Sequence, residues 1–242
     1  MANFYLVEEL ADATVGGLVT VAGPEAKHIA TVSRTRVGEP LLVGNGRGLV
    51  VSGVAESVAP ASVEVRVDEV RRADAASPAI RLAQALAKGD RDELAIQAAT
   101  ELGVDGVIPW QAERSVSRWA GPKLEKGRER WATIVREAVK QSMRPWAPEV
   151  AQLASTKQLS ELAATHRVLV LEPTAQHPIT SITPDGRDLL LVVGPEGGIA
   201  PAELDQLQAA GAELVRLGDS VLRTSTAGPA AIAVLSAALR RW

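Results

Sequence analysis

The chain has 242 residues, with 26 Lys and Arg against 29 Asp and Glu, a formal net charge of −3, three histidines and no cysteine. The missing cysteines exclude disulfides and thiolate chemistry, and His28, His166 and His177 lack the spacing of metal ligands, so no metal site is expected. No basic region followed by an apolar core opens the chain and no apolar run reaches membrane-spanning length, so a cytoplasmic protein with no membrane partner is expected.

Residues 1–72 read as short strands over Phe4–Val7, Leu18–Val21, Leu41–Val43, Leu49–Val54 and Val63–Val70. In the last of these Val63, Val65 and Val67 alternate with Glu64, Arg66 and Asp68, the pattern of a half-buried strand. A helix is expected from Pro24 to Arg34, with proline in its first turn. Gly44-Asn45-Gly46-Arg47-Gly48 falls between apolar runs and reads as a hairpin turn. This pattern predicts a small barrel, followed by a linker over 73–79 signalled by the stretch Arg71–Pro78.

From residue 80 the pattern changes to alternating strands and helices, which predicts an α/β domain, mostly parallel, over 80–242. Strands are expected at Ile80–Ala85, Val107–Pro109, His166–Leu171, Asp188–Val193 and Glu213–Leu217. Helices are expected at Arg91–Glu101, closed by Gly103, and at Lys123–Ser142, Ser155–Ala164 and Pro201–Ala210, the last stopped by Gly211. A final helix runs from Ser225 to the C-terminus, with Gly228-Pro229 in its first turn.

Charge is unevenly distributed. Between Arg114 and Arg144 nine Lys or Arg face only Glu125, Glu129 and Glu137, with Trp119, Trp131 and Trp146 interleaved. Such a stretch suits phosphates and stacked bases, and equally suits a solvated helix face with i,i+4 pairs. Trp131 stands at helical spacing with Ile134, Val135 and Ala138 and is assigned to the core. The arginines are therefore the better candidates for nucleic acid.

The densest signal lies in two glycine-rich loops, Gly194-Pro195-Glu196-Gly197-Gly198-Ile199 and Leu217-Gly218-Asp219-Ser220-Val221-Leu222-Arg223-Thr224. Each follows an apolar strand and leads into a helix. In open α/β sheets ligands bind where strands end, and glycine lets a ligand lie against bare backbone. Gly-Pro-Glu-Gly-Gly alone is also an ordinary strand-to-helix turn; Gly23-Pro24-Glu25 begins the same way without the glycine pair. Neither loop is a Walker-type or dinucleotide-type phosphate cradle.

As an ordered pair the loops resemble the cofactor site of SPOUT-class methyltransferases, and more narrowly the RsmE-type family, which methylates N3 of a uridine in 16S ribosomal RNA of the small subunit. His28-Ile29-Ala30-Thr31-Val32-Ser33-Arg34 with Val37-Gly38-Glu39 is similar to that family's first-domain signature. Lys88-Gly89-Asp90-Arg91, Gln97, Glu101-Leu102-Gly103-Val104, Glu113-Arg114-Ser115 and Glu137-Ala138-Val139-Lys140-Gln141-Ser142 continue the resemblance in order. Three positions depart from it: Ser220 replaces a usual basic residue, Ser225 a common glutamate, and Lys140 an acidic residue.

The resemblance implies a PUA-like RNA-binding domain over 1–72, a deep trefoil knot in the C-terminal domain, and a homodimer acting on 16S rRNA or the small ribosomal subunit. It implies S-adenosylmethionine held by Leu171-Glu172-Pro173, by Gly194, Pro195, Gly197, Gly198 and Ile199, and by Leu217, Gly218, Val221, Leu222 and Thr224. His28, Arg34, Arg36, Arg114, Arg118, Arg136 and Arg144 are the expected RNA contacts. Attack by N3 requires loss of its proton, so a cation beside the cofactor loop would stabilise the anionic ring; Arg223 is the candidate. An Arg223–Glu196 salt bridge is its structural alternative, and Glu196 is left as either the base or a helix cap. Methylation of a ribose 2′-hydroxyl, an RNA-binding protein without activity and a doubly wound nucleotide enzyme are the other functional classes open to this chain.

Overall fold

The computed structural model describes residues 3–242. By internal contacts the chain divides into two compact units, Met1–Ala75 with Val139–Ala147, and Ala76–Ala138 with Pro148–Trp242. The first unit holds β1 (Asn3–Leu6), β2 (Leu18–Ala22), α1 (Gly23–Lys27), β3 (Pro40–Gly44), β4 (Leu49–Val58) and β5 (Ser62–Arg72). Its described residues form a five-stranded sheet in the order β1-β3-β4-β5-β2, parallel only between β1 and β3. Alternation along the strands points Val19, Val21, Leu41, Val43, Val63 and Val65 into one core with Tyr5 and Ile29.

Val70 breaks the odd-numbered alternation of β5 for a local reason. The β4–β5 register slips between Ser52↔Glu69 and Gly53↔Val67, an inserted residue that flips the faces beyond it. Gly53 is required there, since a Cβ would lie 2.1 Å from the Arg66 carbonyl oxygen. The β3–β4 turn is organised by buried Asn45: its Oδ1 accepts the N–H of Arg47 (2.7 Å) and of Leu49 (3.1 Å), and its Nδ2 donates to the Leu10 carbonyl (3.0 Å).

The second unit holds β6 (Ile80–Ala85), α2 (Arg91–Glu101), β7 (Gly106–Trp110), α3 (Pro122–Ser142), which continues past the unit's Ala138 boundary, β8 (Glu149–Val150) and α4 (Thr156–Glu161). It continues with β9 (Arg167–Leu171), β10 (His177–Pro178), β11 (Leu189–Val193), α5 (Pro201–Ala209), β12 (Glu213–Arg216) and α6 (Thr224–Ala238). Its sheet is parallel throughout, in the order β10-β12-β9-β11-β6-β7-β8. The central strand β11, Leu-Leu-Leu-Val-Val, is buried along its whole length, as a strand covered on both faces must be. α6 packs against α2, β6 and β11, and Gly228 makes this approach possible: a Cβ there would meet Leu82 at 3.1 Å.

Some expected elements shift. The helix expected from Pro24 to Arg34 is α1 followed by a wider π turn over His28–Val32, after which Arg34 takes a left-handed φ of 53°. The expected Ser155–Ala164 helix is α4 and a 3-10 turn, with Ser155 as its N-cap reciprocated by Gln158. α6 begins at Thr224 and ends at Ala238. Pro229 therefore stands beyond the first turn, inside the helix, where it cannot donate to the Ser225 carbonyl. Of the alanines along α6, Ala231 is buried, Ala227, Ala230 and Ala233 are half-buried, and Ala237 and Ala238 are exposed. Residues Val139–Ala147 fall in the first unit rather than with the residues around them, because Pro145 and Ala147 exchange backbone hydrogen bonds with Gly48 and Gly46 (both 2.9 Å).

Candidate functional site

Three loops leave the C-terminal ends of the adjacent strands β12, β9 and β11 and enclose a pocket of about 420 Å³. Leu171, Glu172 and Pro173 come from the end of β9; Gly194, Pro195, Glu196, Gly198 and Ile199 follow β11; and Leu217, Gly218, Ser220, Val221, Leu222, Arg223 and Thr224 follow β12. The walls are mostly apolar side chains and exposed backbone, placed at the edge where parallel sheets bind ligands. Gly194 is confined by its own loop, since a Cβ would lie 2.6 Å from Ile199 Cγ1. Gly198 and Gly218 both hold φ at +72°, a conformation that suits glycine.

The two glycine loops are tied together by Thr224, the first residue of α6. Its buried hydroxyl donates to the Gly194 carbonyl (2.8 Å) and accepts from Gln84 Nε2 at the end of β6 (2.9 Å). The start of α6 is thus pinned to β6 and β11, which sets where the preceding Arg223 stands. Arg223 lines the pocket, is exposed, and makes no ion pair among the described residues.

Glu196 is engaged elsewhere. One of its oxygens accepts from the Lys88 N–H (3.1 Å) and from Arg91 Nη1 (3.0 Å), so the alternative Arg223–Glu196 salt bridge is absent. Nor does it cap α5: the Ala200 N–H there donates to Glu203 (3.3 Å). Burial pushes the Glu196 carboxyl up, but its own N–H, that of Lys88 and the Arg91 guanidinium outweigh this and hold it below the usual carboxylate range. Arg91, which the composition of the loops does not reveal, is a lining residue through this pair.

Gly197, expected in the cofactor site, does not line the pocket. A Cβ there would face Arg114 at 3.4 Å, and the Gly197 carbonyl accepts from Arg114 Nη1 (3.1 Å), so this glycine holds Arg114 against the loop. Val193 and Ala227 join the lining instead, with Ser220 at one of the departures from the expected pattern. Ser225 sits half-buried on α6 and is not part of the lining.

The candidate RNA residues fall in both units. In the first, His28 packs edge-on to Tyr5 at 5.9 Å, while Arg34 and Arg36 are exposed. In the second, Arg114 and Arg118 are exposed, Arg118 donating to the Glu113 carbonyl (2.9 Å). Arg136 on α3 and Arg144 beyond it are half-buried and already partnered. Trp131 is core, as its spacing predicts, and Trp146 donates its indole N–H to the Ala73 carbonyl (2.8 Å). Lys140 forms a nearly buried ion pair with Glu25 at 3.3 Å, which accounts for a basic residue at that position.

Among the described residues no helix is long and apolar enough to cross a membrane. Residues 75–236 match a family model described as an RNA methyltransferase domain. The chain is 42% identical to the ribosomal RNA small subunit methyltransferase E of Mycobacterium bovis over 100% of its own length and 94% of that protein's. It is 34% identical to the Bacillus subtilis protein of the same name, over 90% and 89%. Among solved structures it is similar to the Neisseria gonorrhoeae ribosomal RNA small subunit methyltransferase E bound to S-adenosylmethionine, with a TM-score of 0.88 and 27% identity over 98% of each chain. A putative methyltransferase from Legionella pneumophila, also in complex with that cofactor, gives a TM-score of 0.85 and 31% identity over 98% of each chain.

Proposed function

The chain belongs to the ribosomal RNA small subunit methyltransferase E family of RNA methyltransferases, and we propose that it methylates N3 of a uridine in 16S ribosomal RNA with S-adenosylmethionine as donor. The observation that carries the reading is the three-loop pocket in a chain related over its full length to proteins of that name. Similar structures with the cofactor bound support placing it there.

The residues present fit that cofactor. Gly194 and Gly198 bring backbone without a Cβ to the pocket wall, Leu171, Leu217, Val221 and Leu222 offer an apolar bed for an adenine ring, and Glu172 is part of the lining. The bound cofactor would supply an electrophilic methyl on a sulfonium. The protein's part is to seat the uridine against that methyl and to stabilise the anionic ring left when N3 loses its proton. Arg223 is the cation for that charge: exposed at the pocket, unpaired by any described carboxylate, and fixed through Thr224. Glu196, held low by Arg91 and two N–H groups, is a poor base and serves to position Arg91 at the mouth.

In the same proposal the first unit is a PUA-like RNA-binding domain, the second is knotted, and the working form is a cytoplasmic homodimer partnered with the small ribosomal subunit. The decisive assay uses labelled S-adenosylmethionine, small subunits lacking the modification, and mass analysis of the nucleosides. We expect 3-methyluridine. A 2′-O-methylated nucleoside would keep the cofactor and overturn the acceptor atom, and cofactor binding without any product would favour a binding protein.

A further inference from the structure

A second cavity, of about 280 Å³, lies beside the cofactor pocket in the same unit and is not part of it. The two share a wall, the turn over residues 88–90 and the start of α2: Arg91 faces the cofactor pocket, whereas Lys88, Asp90, Asp92 and Glu93 face the second cavity. Its other side is Val116, Ser117 and Trp119, with Gly127, Arg130 and Trp131 from α3.

Two properties of this cavity suit a flat ring with hydrogen-bond donors on its edge. Trp119 is half-buried and fixed: its ring lies over Gly127, where a Cβ would be 2.4 Å from it, and is braced edge-on by Trp131 at 5.5 Å and 78°. The backbone N–H of Trp119 donates to Gln111 Oε1 (2.9 Å), which anchors the loop carrying it. Asp92, at the start of α2, lines the same cavity: it is 6% exposed, its carboxyl held by the N–H groups of Ala87 (3.3 Å) and Glu93 (3.0 Å). Glu93 is bridged by Arg130 (2.6 Å between Nη2 and Oε2), so both charges on this side of the lining are paired with each other. Val116, 69% exposed, stands at the lip with no apolar cover.

We infer that this cavity is a nucleobase subsite, in which Trp119 stacks the base of an RNA nucleotide flanking the methylated one while Asp92 accepts from its amino edge. The inference rests on the proposed RNA reaction and gives that strand a path from the cofactor pocket over the shared wall. Aromatic stacking is sequence-tolerant, whereas an acceptor at the base edge favours bases bearing an exocyclic amino group. The placement reverses the sequence-based ranking of arginines above tryptophans for this one residue.

Two measurements test it on the full chain. First, small-subunit RNA oligonucleotides carrying 4-thiouridine at positions either side of the methylated nucleotide are photocross-linked to the wild-type protein, and the attached peptides are mapped. Cross-links to residues 116–119 or 127–131 are expected; cross-links confined to other segments, or none, overturn the subsite. Second, Trp119→Ala should raise KM for the RNA about tenfold, Trp119→Phe should recover most of that loss, and calorimetric affinity for S-adenosylmethionine should stay within about twofold in both. Gly127→Ala, whose Cβ displaces the ring, should reproduce the KM effect with a lower Tm and cofactor affinity unchanged. An unchanged KM in Trp119→Ala and Gly127→Ala overturns the proposal. Failure of the wild type to methylate any RNA would sink the proposed reaction, and the cross-linking would still decide the subsite.

Discussion

Arg223 and Glu196 are neighbours in the same pocket with opposite environments. Arg223 has no described ion partner, so its charge is available to the substrate; Glu196 spends its carboxylate on Lys88 and Arg91. We therefore expect Arg223→Ala to lower kcat by about 10²–10³, the usual loss of one charge-stabilising contact, with cofactor affinity unchanged in calorimetry. Glu196→Gln should act more weakly and through KM, because it loosens Arg91 without removing it. A pH–rate profile that loses its acidic limb in Glu196→Gln would restore Glu196 as the base. Asp92 supplies a second test at this scale. Burial, offset in part by the N–H groups of Ala87 and Glu93 and reinforced by the Glu93 charge, raises its carboxyl from the usual 3.8 to about 6. A carboxyl raised by folding favours the folded state below its unfolded value, and that contribution is lost as pH rises through about 6. Asp92→Asn should therefore match the wild type near pH 4 and gain on it by pH 7.5, by on the order of 2–3 kcal/mol. Parallel thermal melts across that range check the sign, and a gap that narrows with rising pH would refute it.

The start of α6 is where local residue choice becomes pocket geometry. Thr224 bonds Gly194 and Gln84 with one hydroxyl, so the last loop, the first loop and β6 move together. Thr224→Val keeps the shape and removes both bonds, leaving the Gly194 carbonyl without this partner. We expect about 1–3 kcal/mol of lost stability, a Tm lower by several degrees, and cofactor affinity weakened at least fivefold. A stability loss with unaltered affinity would show that the two loops are held in place for the cofactor by contacts other than the Thr224 hydroxyl. This coupling also marks what could be read from the chain before its structure. The parallel strands, the helices closed by Gly103 and Gly211, and the lining loops are visible because apolar runs and glycines are local signals. Arg91 and Gln84 were invisible as site residues, since each reaches the site across more than 100 positions of sequence, to Glu196 and Thr224. Gly197 and Gly198 are adjacent in one loop but differ in surroundings, Gly198 lining the pocket and Gly197 set against Arg114, a difference that sequence adjacency does not carry. The π turn after α1 has no periodic signature that separates it from an ordinary helix end.

Over the whole chain, long-range pairs decide which residues answer to which. The excess of positive charge between Arg114 and Arg144 reads from sequence either as a nucleic-acid face or as a solvated helix face with ion pairs, and part of it is committed within the protein: Arg130 to Glu93, Arg128 to Glu125, and Lys140 to Glu25. The last pair is the informative one. Both side chains are largely removed from water, 10% and 12% exposed, within the unit that gathers residues 139–147 to the N-terminal sheet. Lys140 replaces an acidic residue of the family pattern, and in this chain its charge is opposed by Glu25 rather than presented to RNA. An ion pair buried to this degree is costly to break, because the remaining charge stays in a poor solvent. Lys140→Glu, the family-like residue, would place two carboxylates together and should cost about 3 kcal/mol or more in urea unfolding. Glu25→Lys alone should cost a similar amount through two ammonium groups, while the charge-swapped double variant should regain most of the loss. The cycle separates a paired site from a position that merely tolerates lysine: additive losses in the double variant would mean that the two charges do not answer to each other, and that Glu25 is not the reason for a basic residue at 140.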